Sequence, residues 1–276
     1  MAGILYVVGT PIGNLSDFSP RAVETLQQVD FIAAEDTRVT LKLLNHFGIK
    51  KPMVSYYEHN LRQRGEQIIQ RILAGENCAI VSDAGMPCIS DPGEDLVRLC
   101  AEYQIETRVV PGPSAVISAL CVSGLVTSRF SFEGFLSTNK RSRLEHLTSI
   151  RKDTHTLIFY EAPHKLLSTL KDLYETLGDR KISLVKEITK LHESVNRTTL
   201  AQAVQYYTEN TPKGEFVLVL EGAVIAENNE EEMTLEQAVQ LAKELMEQGH
   251  RPSDAAKEAA KLTQFKKAEI YKQLID

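Results

Sequence analysis

Three short loops carry residues of the kind that hold a ligand by its backbone. They are Gly9-Thr10-Pro11-Ile12-Gly13-Asn14, Ser82-Asp83-Ala84-Gly85-Met86-Pro87 and Pro111-Gly112-Pro113-Ser114-Ala115. Each follows a run that reads as a strand, over residues 4–8, 78–81 and 107–110. Loops at the carboxyl ends of parallel strands open on one edge of a sheet, where α/β proteins bind ligands. Glycine lets a backbone approach a ligand closely, and Pro111 and Pro113 stiffen a rim. Turn-making alone explains one such loop, whereas three in register point to a cleft. None is GxGxxG or GxxxxGK[ST], so neither a Rossmann dinucleotide site nor a P-loop is supported.

Groups able to take a proton lie near these loops: Glu35, Asp36, Glu58, His59, Asp83 and Asp91. Asp36 has two readings of equal weight, as the cap of a helix starting near Thr37 or as a substrate-side carboxylate. Arg38, one turn on, pairs with an acid or meets a phosphate. His59 titrates near neutrality and sits in Tyr56-Tyr57-Glu58-His59-Asn60, whose tyrosines suit stacking on an unpaired base. The same cluster also reads as a packed loop with Asn60 capping the next helix. Asp83 suits the hydroxyls or amides of a cofactor.

The elements that must position these groups alternate. Strands are expected over 4–8, 31–34, 78–81 and 107–110, and helices over 20–28, 37–47, 61–73, 92–103 and 113–121. That alternation, with short connections, is the signature of a mostly parallel sheet covered by helices. A second α/β unit, with a mixed sheet, begins near Arg129. Its strands are expected over 130–135, 156–160, 181–185, 195–199 and 215–220, and its helices over 140–150 and 163–177. The expected domains are therefore 1–126, 129–223 and a small helical module over 233–276. A glutamate-rich linker over 224–233 precedes the module. In the module Ser253 is expected to cap 254–262 and Thr263 to cap 264–275, in a helix-turn-helix-like arrangement.

Of the 276 residues, 43% are hydrophobic and 25% charged, which fits a globular protein and excludes a mostly disordered one. No apolar run approaches the roughly 18 residues of a membrane span, and the first residues carry no secretory signal. Cys78, Cys88, Cys100 and Cys121 form no CxxC pair. Neither a disulfide framework nor a metal site is expected, and the reducing cytoplasm is the expected compartment. The net charge of −6 does not mark a nucleic-acid binder, but residues 129–222 carry 14 Lys/Arg against 12 Asp/Glu. Within them Lys140, Arg141 and Arg143 form the first candidate grip on phosphates, with residues 186–193 second. A solvated helix face is the plainer reading of such a run. The lysines of the last helices either touch RNA or face packing partners.

The order of these motifs carries a resemblance. The segments are Gly9-Thr10-Pro11-Ile12-Gly13-Asn14-Leu15, Ala34-Glu35-Asp36-Thr37-Arg38, Ser82-Asp83-Ala84-Gly85-Met86-Pro87 with Ser90-Asp91-Pro92-Gly93, and Pro111-Gly112-Pro113-Ser114-Ala115. Phe132-Glu133-Gly134-Phe135, Tyr160-Glu161-Ala162-Pro163-His164 and Arg251-Pro252-Ser253-Asp254-Ala255-Ala256 extend them. Together they resemble the small-subunit ribosomal RNA methyltransferase I branch of the tetrapyrrole methylase superfamily, over essentially the whole chain. The first and later glycine loops depart from the GxGxGD-like and Gly-Asp-Pro patterns common in the wider superfamily. The resemblance implies two α/β domains with S-adenosylmethionine in the cleft between them. It further implies 2'-O-methylation of a cytidine in the decoding region of 16S rRNA, on RNA or the small ribosomal subunit, by a homodimer. Under it Pro11, Asp83, Ala84, Gly85, Met86, Ser114, Ala115 and Tyr160 are the expected cofactor contacts. Asp36, Arg38 and His59 are expected to orient the ribose hydroxyl. The competing readings are a tetrapyrrole or other small-molecule methyltransferase of the same fold, and a non-catalytic RNA-binding assembly module.

Overall fold

The computed structural model describes residues 1–57, 61–224, 233–263 and 265–275. The first half alternates strand and helix: β1 (Leu5–Val8), α1 (Pro20–Gln28), β2 (Phe31–Ala34), α2 (Thr37–His46), β3 (Met53–Ser55), α3 (Leu61–Leu73), β4 (Cys78–Val81), α4 (Glu94–Glu102), β5 (Thr107–Val110) and α5 (Ala115–Ser123). The five strands form one sheet in the order β3-β2-β4-β1-β5, and every recorded pairing is parallel. The inner strands β2 and β4 are buried at every residue, so they read as unbroken apolar runs. Their side chains alternate between two cores. Phe31, Ala33, Cys78 and Ile80 pack with Ile68, Ile72 and Leu96 of α3 and α4. Ile32, Ala34, Ala79 and Val81 pack with Ala22, Leu26 and Leu44 of α1 and α2.

Local signals set the helix starts. Ser19 accepts a hydrogen bond from the Ala22 N–H, and Pro20 opens α1. The three-residue strand β3 was not visible in the sequence, because Lys50-Lys51-Pro52 interrupts the apolar pattern before it.

The second half contains β6 (Phe130–Phe135), α6 (Lys140–Ser149), β7 (Thr156–Glu161), α7 (Leu166–Leu177), β8 (Lys181–Lys186), β9 (Ser194–Thr199), α8 (Leu200–Glu209) and β10 (Phe216–Leu220). The sheet order is β6-β7-β10-β8-β9, with β6 and β7 parallel and the remaining pairs antiparallel. This is the mixed sheet expected. The helix α8 was absent from the expectation.

One face of this second sheet, with Leu157, Phe159, Leu184 and Leu218, packs on α6, α7 and α8. The opposite face, with Ile158, Val185, Val217 and Val219, packs on Val116, Ala119 and Leu120 of α5. The expected boundary at residue 126 falls just after α5. In sequence α5 closes the first half, but in packing it serves the second sheet. Its C-terminal carbonyls are held from that sheet as well. Arg197 donates to Val122 O (2.6 Å) and Ser123 O (3.1 Å), and the Ser183 hydroxyl donates to Ser123 O (2.6 Å). Residues 1–223 accordingly form one compact unit.

Residues 224–276 form the other unit. The expected linker lies largely outside the described residues. Within this unit α9 (Leu235–Glu247), α10 (Pro252–Leu262) and α11 (Lys267–Ile275) close on Ala238, Ala242, Ala255, Ala256, Ala259 and Ile270. Ser253 is not a cap: Arg251 holds that position and Pro252 opens α10. The Thr263 hydroxyl donates back to Ala259 O (2.9 Å), so it ends α10.

Among the three loops, Gly9 and Gly112 meet backbone to backbone. A Cβ on Gly9 would stand 2.7 Å from the Gly112 Cα and 2.7 Å from the Met86 sulfur. Backbone cannot yield to that cheaply, so Gly9→Ala is expected to cost about 1–3 kcal/mol in urea unfolding. A midpoint equal to wild type would show slack in these loops.

Candidate functional site

The three glycine loops leave the same sheet edge and are bound to one another through their backbones. Thr10 N–H donates to Gly85 O (2.9 Å), and Gly85 N–H returns to Thr10 O (3.2 Å). Gly9 N–H donates to Val110 O (3.1 Å). The Thr10 hydroxyl donates to Ser82 O (3.2 Å). Gly85 has φ +90°, a conformation that glycine alone adopts without strain. The Ser114 hydroxyl caps α5 by accepting from Ile117 N–H.

These loops form one wall of a cleft of about 380 Å³, within the usual range for small-molecule sites. Asp83, Ala84, Gly85, Met86, Ser114, Ala115 and Tyr160, expected there, all line it. Pro11 does not; its neighbour Ile12 does. The opposite wall comes from the α5-facing side of the second sheet and its following turns: Phe135, Val185, Ile188, Lys190, Glu215 and Val217. Sequence reasoning missed most of this wall, because it is assembled from strand ends far apart in the chain. Lys190 is the only lining cation among the described residues. It lies in the 186–193 run already singled out, where Glu187 (3.1 Å) and Glu215 (2.7 Å) hold its ammonium.

Five acidic residues line the cleft: Glu35, Asp83, Asp91, Glu161 and Glu215. Burial pushes Glu35, Asp83 and Asp91 up, and neighbouring carboxylates add to it: Asp83 and Asp36 act on Glu35, Asp36 on Asp83, and Glu35 and Asp83 on Asp91. Asp91 reaches about 6, from burial first and the nearby Glu35 charge second. Glu35 and Asp83 are cross-braced: Asp83 N–H donates to Glu35 (3.2 Å), and Asp36 N–H donates to Asp83 (3.2 Å). Tyr160 is raised to about 12 by burial, and its hydroxyl meets the Val116 N–H.

Of the residues expected to be catalytic, Asp36 and Arg38 are not among those lining the cleft. The Asp36 carboxylate caps α2 through Arg38 N–H (2.8 Å) and binds the Arg38 guanidinium (2.6 Å). Those hydrogen bonds, side chain first, hold it down to about 2. Of the two readings for Asp36, the structure shows the cap. Arg38 is exposed beside it. His59 lies outside the described residues.

Among the expected phosphate contacts, Lys140 and Arg141 are exposed on α6, with Arg141 paired to Glu145 (2.8 Å). Arg143 differs. Its Nε donates to Asp172 (2.6 Å) and its Nη1 to the carbonyls of Ser137 (2.9 Å) and Thr138 (3.3 Å). Arg143 and Asp172 are only 16% and 13% exposed. The side chain is engaged in fixing the turn before α6.

A two-sheet α/β unit with a cleft between strand-end glycine loops and a second sheet defines the class of protein. The model of the Tetrapyrrole (Corrin/Porphyrin) Methylases family matches residues 4–204. A Synechocystis protein named Ribosomal RNA small subunit methyltransferase I is 50% identical over 98% of this chain and 96% of its own length. Proteins of the same name from Bacillus subtilis (42%, covering 98% and 93%) and Escherichia coli O157:H7 (41%, covering 99% and 95%) are also similar. Among solved structures, the methyltransferase CobJ superposes with a TM-score of 0.61 at 17% identity, covering 80% of this chain and 95% of that one. The uroporphyrin-III-C-methyltransferase from Thermus thermophilus gives 0.55 at 17% identity, covering 79% and 94%. The chain belongs to the tetrapyrrole methylase family, in the branch of its Ribosomal RNA small subunit methyltransferase I relatives.

The methyl donor of this family is S-adenosylmethionine, and the residues present fit it. Small side chains at Ala84, Gly85, Ser114 and Ala115 leave room between the walls. The three raised carboxylates create a negative field that a sulfonium cation relieves.

The state of Asp91 is open to a stability test. Its folded value near 6 lies above the unfolded value near 3.9. The native state therefore holds the extra proton between those values, and this contribution is lost as pH rises through 6. Asp91→Asn is expected to match wild type near pH 4 and to gain roughly 1 kcal/mol near pH 7.5, after discounting for partial solvent screening. Denaturant unfolding at the two pH values checks it, and a gain at pH 4 alone would reverse the assignment.

Proposed function

We propose that this protein uses S-adenosylmethionine to methylate the ribose 2'-oxygen of a cytidine in the decoding region of 16S rRNA. The observation that carries this reading is the cleft itself, with Glu35, Asp83 and Asp91 on one wall and a mostly apolar second wall. The relatives' shared name points the same way. S-adenosylmethionine, when bound, supplies an electrophilic methyl group on a good leaving group. The chain's own task is to orient the ribose hydroxyl for in-line attack and to accept its proton.

Asp91 is the acceptor we assign. It lines the cleft, and its value near 6 lets it stand ionised yet basic at neutral pH. Asp36, held near 2 by Arg38, is a poor base. The Asp36–Arg38 pair instead presents a guanidinium to the substrate side. Loss of a general base costs about 10²–10⁴-fold in rate. Single-turnover methylation of unmodified small ribosomal subunits should therefore fall by that factor in Asp91→Asn. It should stay near wild type in Asp36→Asn, which loses only a cap. If His59→Gln falls and Asp91→Asn does not, the proton goes to His59.

Phosphate contact is assigned to Lys140 and Arg141. Their joint replacement by Ala should flatten the salt dependence of RNA binding, by roughly 0.7–0.9 in the log–log slope per lost contact. Arg143→Ala should leave that slope unchanged and instead cost roughly 1–3 kcal/mol of stability through the stranded Asp172. An equal slope change in Arg143→Ala would put its charge on the RNA.

We further assign a homodimer in the cytoplasm. The helix α5 is apolar around most of its circumference, yet Ile117 is 47% exposed and Cys121 one turn on is exposed too. A second copy covers such a face, and sedimentation of wild type against Ile117→Glu tests it. Four free thiols suit a reducing compartment, and among the described residues no helix is long and apolar enough to cross a membrane.

A further inference from the structure

The strand β6 contains a β-bulge. It pairs Phe132 with Ile158 and Gly134 with Phe159, and Glu133 is the extra residue between them. Side chains on a strand alternate, so without the bulge Phe132 and Phe135 would lie on opposite faces. With it, both face the side that carries Ile158 and Tyr160. The Phe132 and Tyr160 rings stand 4.9 Å apart, and those of Phe135 and Tyr160 5.4 Å apart. The bulge is built and held. Gly134 has φ +64°, and the Glu133 carboxylate accepts from Ser131 and contacts His146 Nε2 (2.7 Å) on α6.

The result is an aromatic ring at the cleft that its own fold does not cover. Phe135 lines the cleft and is 60% exposed. Tyr160 behind it is buttressed by Phe132 and anchored through its hydroxyl to the start of α5. The bulge thus places an exposed hydrophobic ring on the face of Ile158 and Tyr160.

We propose that Phe135 is the stacking platform for an unpaired nucleobase of the RNA, that of the nucleotide being methylated. This rests on the ribose-methylation reading and deepens it. A ribose hydroxyl enters the cleft only if its nucleotide leaves the helical stack, and its base then needs a new π-face. The exposed Lys140 and Arg141 begin α6 five and six residues beyond Phe135, placing cationic side chains on the same chain segment as the platform. The other source of a heteroaromatic ring is the cofactor adenine. Phe135 belongs to the wall opposite the glycine loops and keeps most of its surface in solvent, which favours the RNA base.

The test uses the full-length protein, S-adenosylmethionine and small ribosomal subunits lacking the modification. Stacking is worth about 1–3 kcal/mol per base. Phe135→Ala is therefore expected to raise KM for the subunit roughly 5–150-fold, with cofactor affinity by calorimetry unchanged. Phe135→Trp should restore KM and Phe135→Leu should not, which separates stacking from apolar bulk. The calorimetric signal also certifies that each variant is folded. A matching loss of cofactor affinity would make Phe135 the adenine platform and overturn the proposal, as would an unaltered KM in Phe135→Ala or full rescue by Leu. If wild type fails to methylate the subunit, the ribose-methylation reading fails instead, independently of any Phe135 variant.

Discussion

The clasp between the loops after β1, β4 and β5 is the constraint on which the rest of the cleft depends. Thr10 and Gly85 exchange two backbone hydrogen bonds, and Gly9 and Gly112 meet with no space for a side chain. Backbone–backbone contact fixes loop position more firmly than side-chain contact, because no rotamer is left to relax. It also leaves the small side chains of Ala84 and Ala115 to line the cleft.

The cleft's electrostatics follow from that geometry. Glu35, Asp83 and Asp91 are raised first by burial and then by neighbouring carboxylates, Asp91 by Glu35 and Asp83. A cationic ligand relieves this repulsion, so ligand charge and loop geometry act together. The contrast with Asp36 is instructive. One residue from Glu35, it turns the other way, caps a helix and pairs with Arg38. Adjacent acids thus differ widely in basicity because of which way the strand end points.

Much of the first half was legible in the sequence because its signals are local. Strand runs such as 31–34 and 78–81, the Ser19-Pro20 start of α1 and the three glycine loops all fall where expected. What stayed hidden depends on contacts between distant segments. The inward side of the second sheet needs the register of five strands. The use of Arg143 by Asp172 needs the packing of α6 on α7. In the first loop Ile12 rather than Pro11 lines the cleft, a one-residue difference that no composition reveals. The β6 bulge is marked by Gly134, but a glycine in a strand does not say which neighbour it re-aims.

The helix α5 carries a consequence for biosynthesis. Residues 115–123 are synthesised well before the strands β7, β8 and β10 that they cover. A nascent chain that has emerged only as far as the first sheet bears an apolar helix with no surface to bury it. The first half is thus complete as a sheet but incomplete as a soluble body. The growing chain depends on rapid completion of its second half, or on a chaperone, to keep that helix from binding a neighbour.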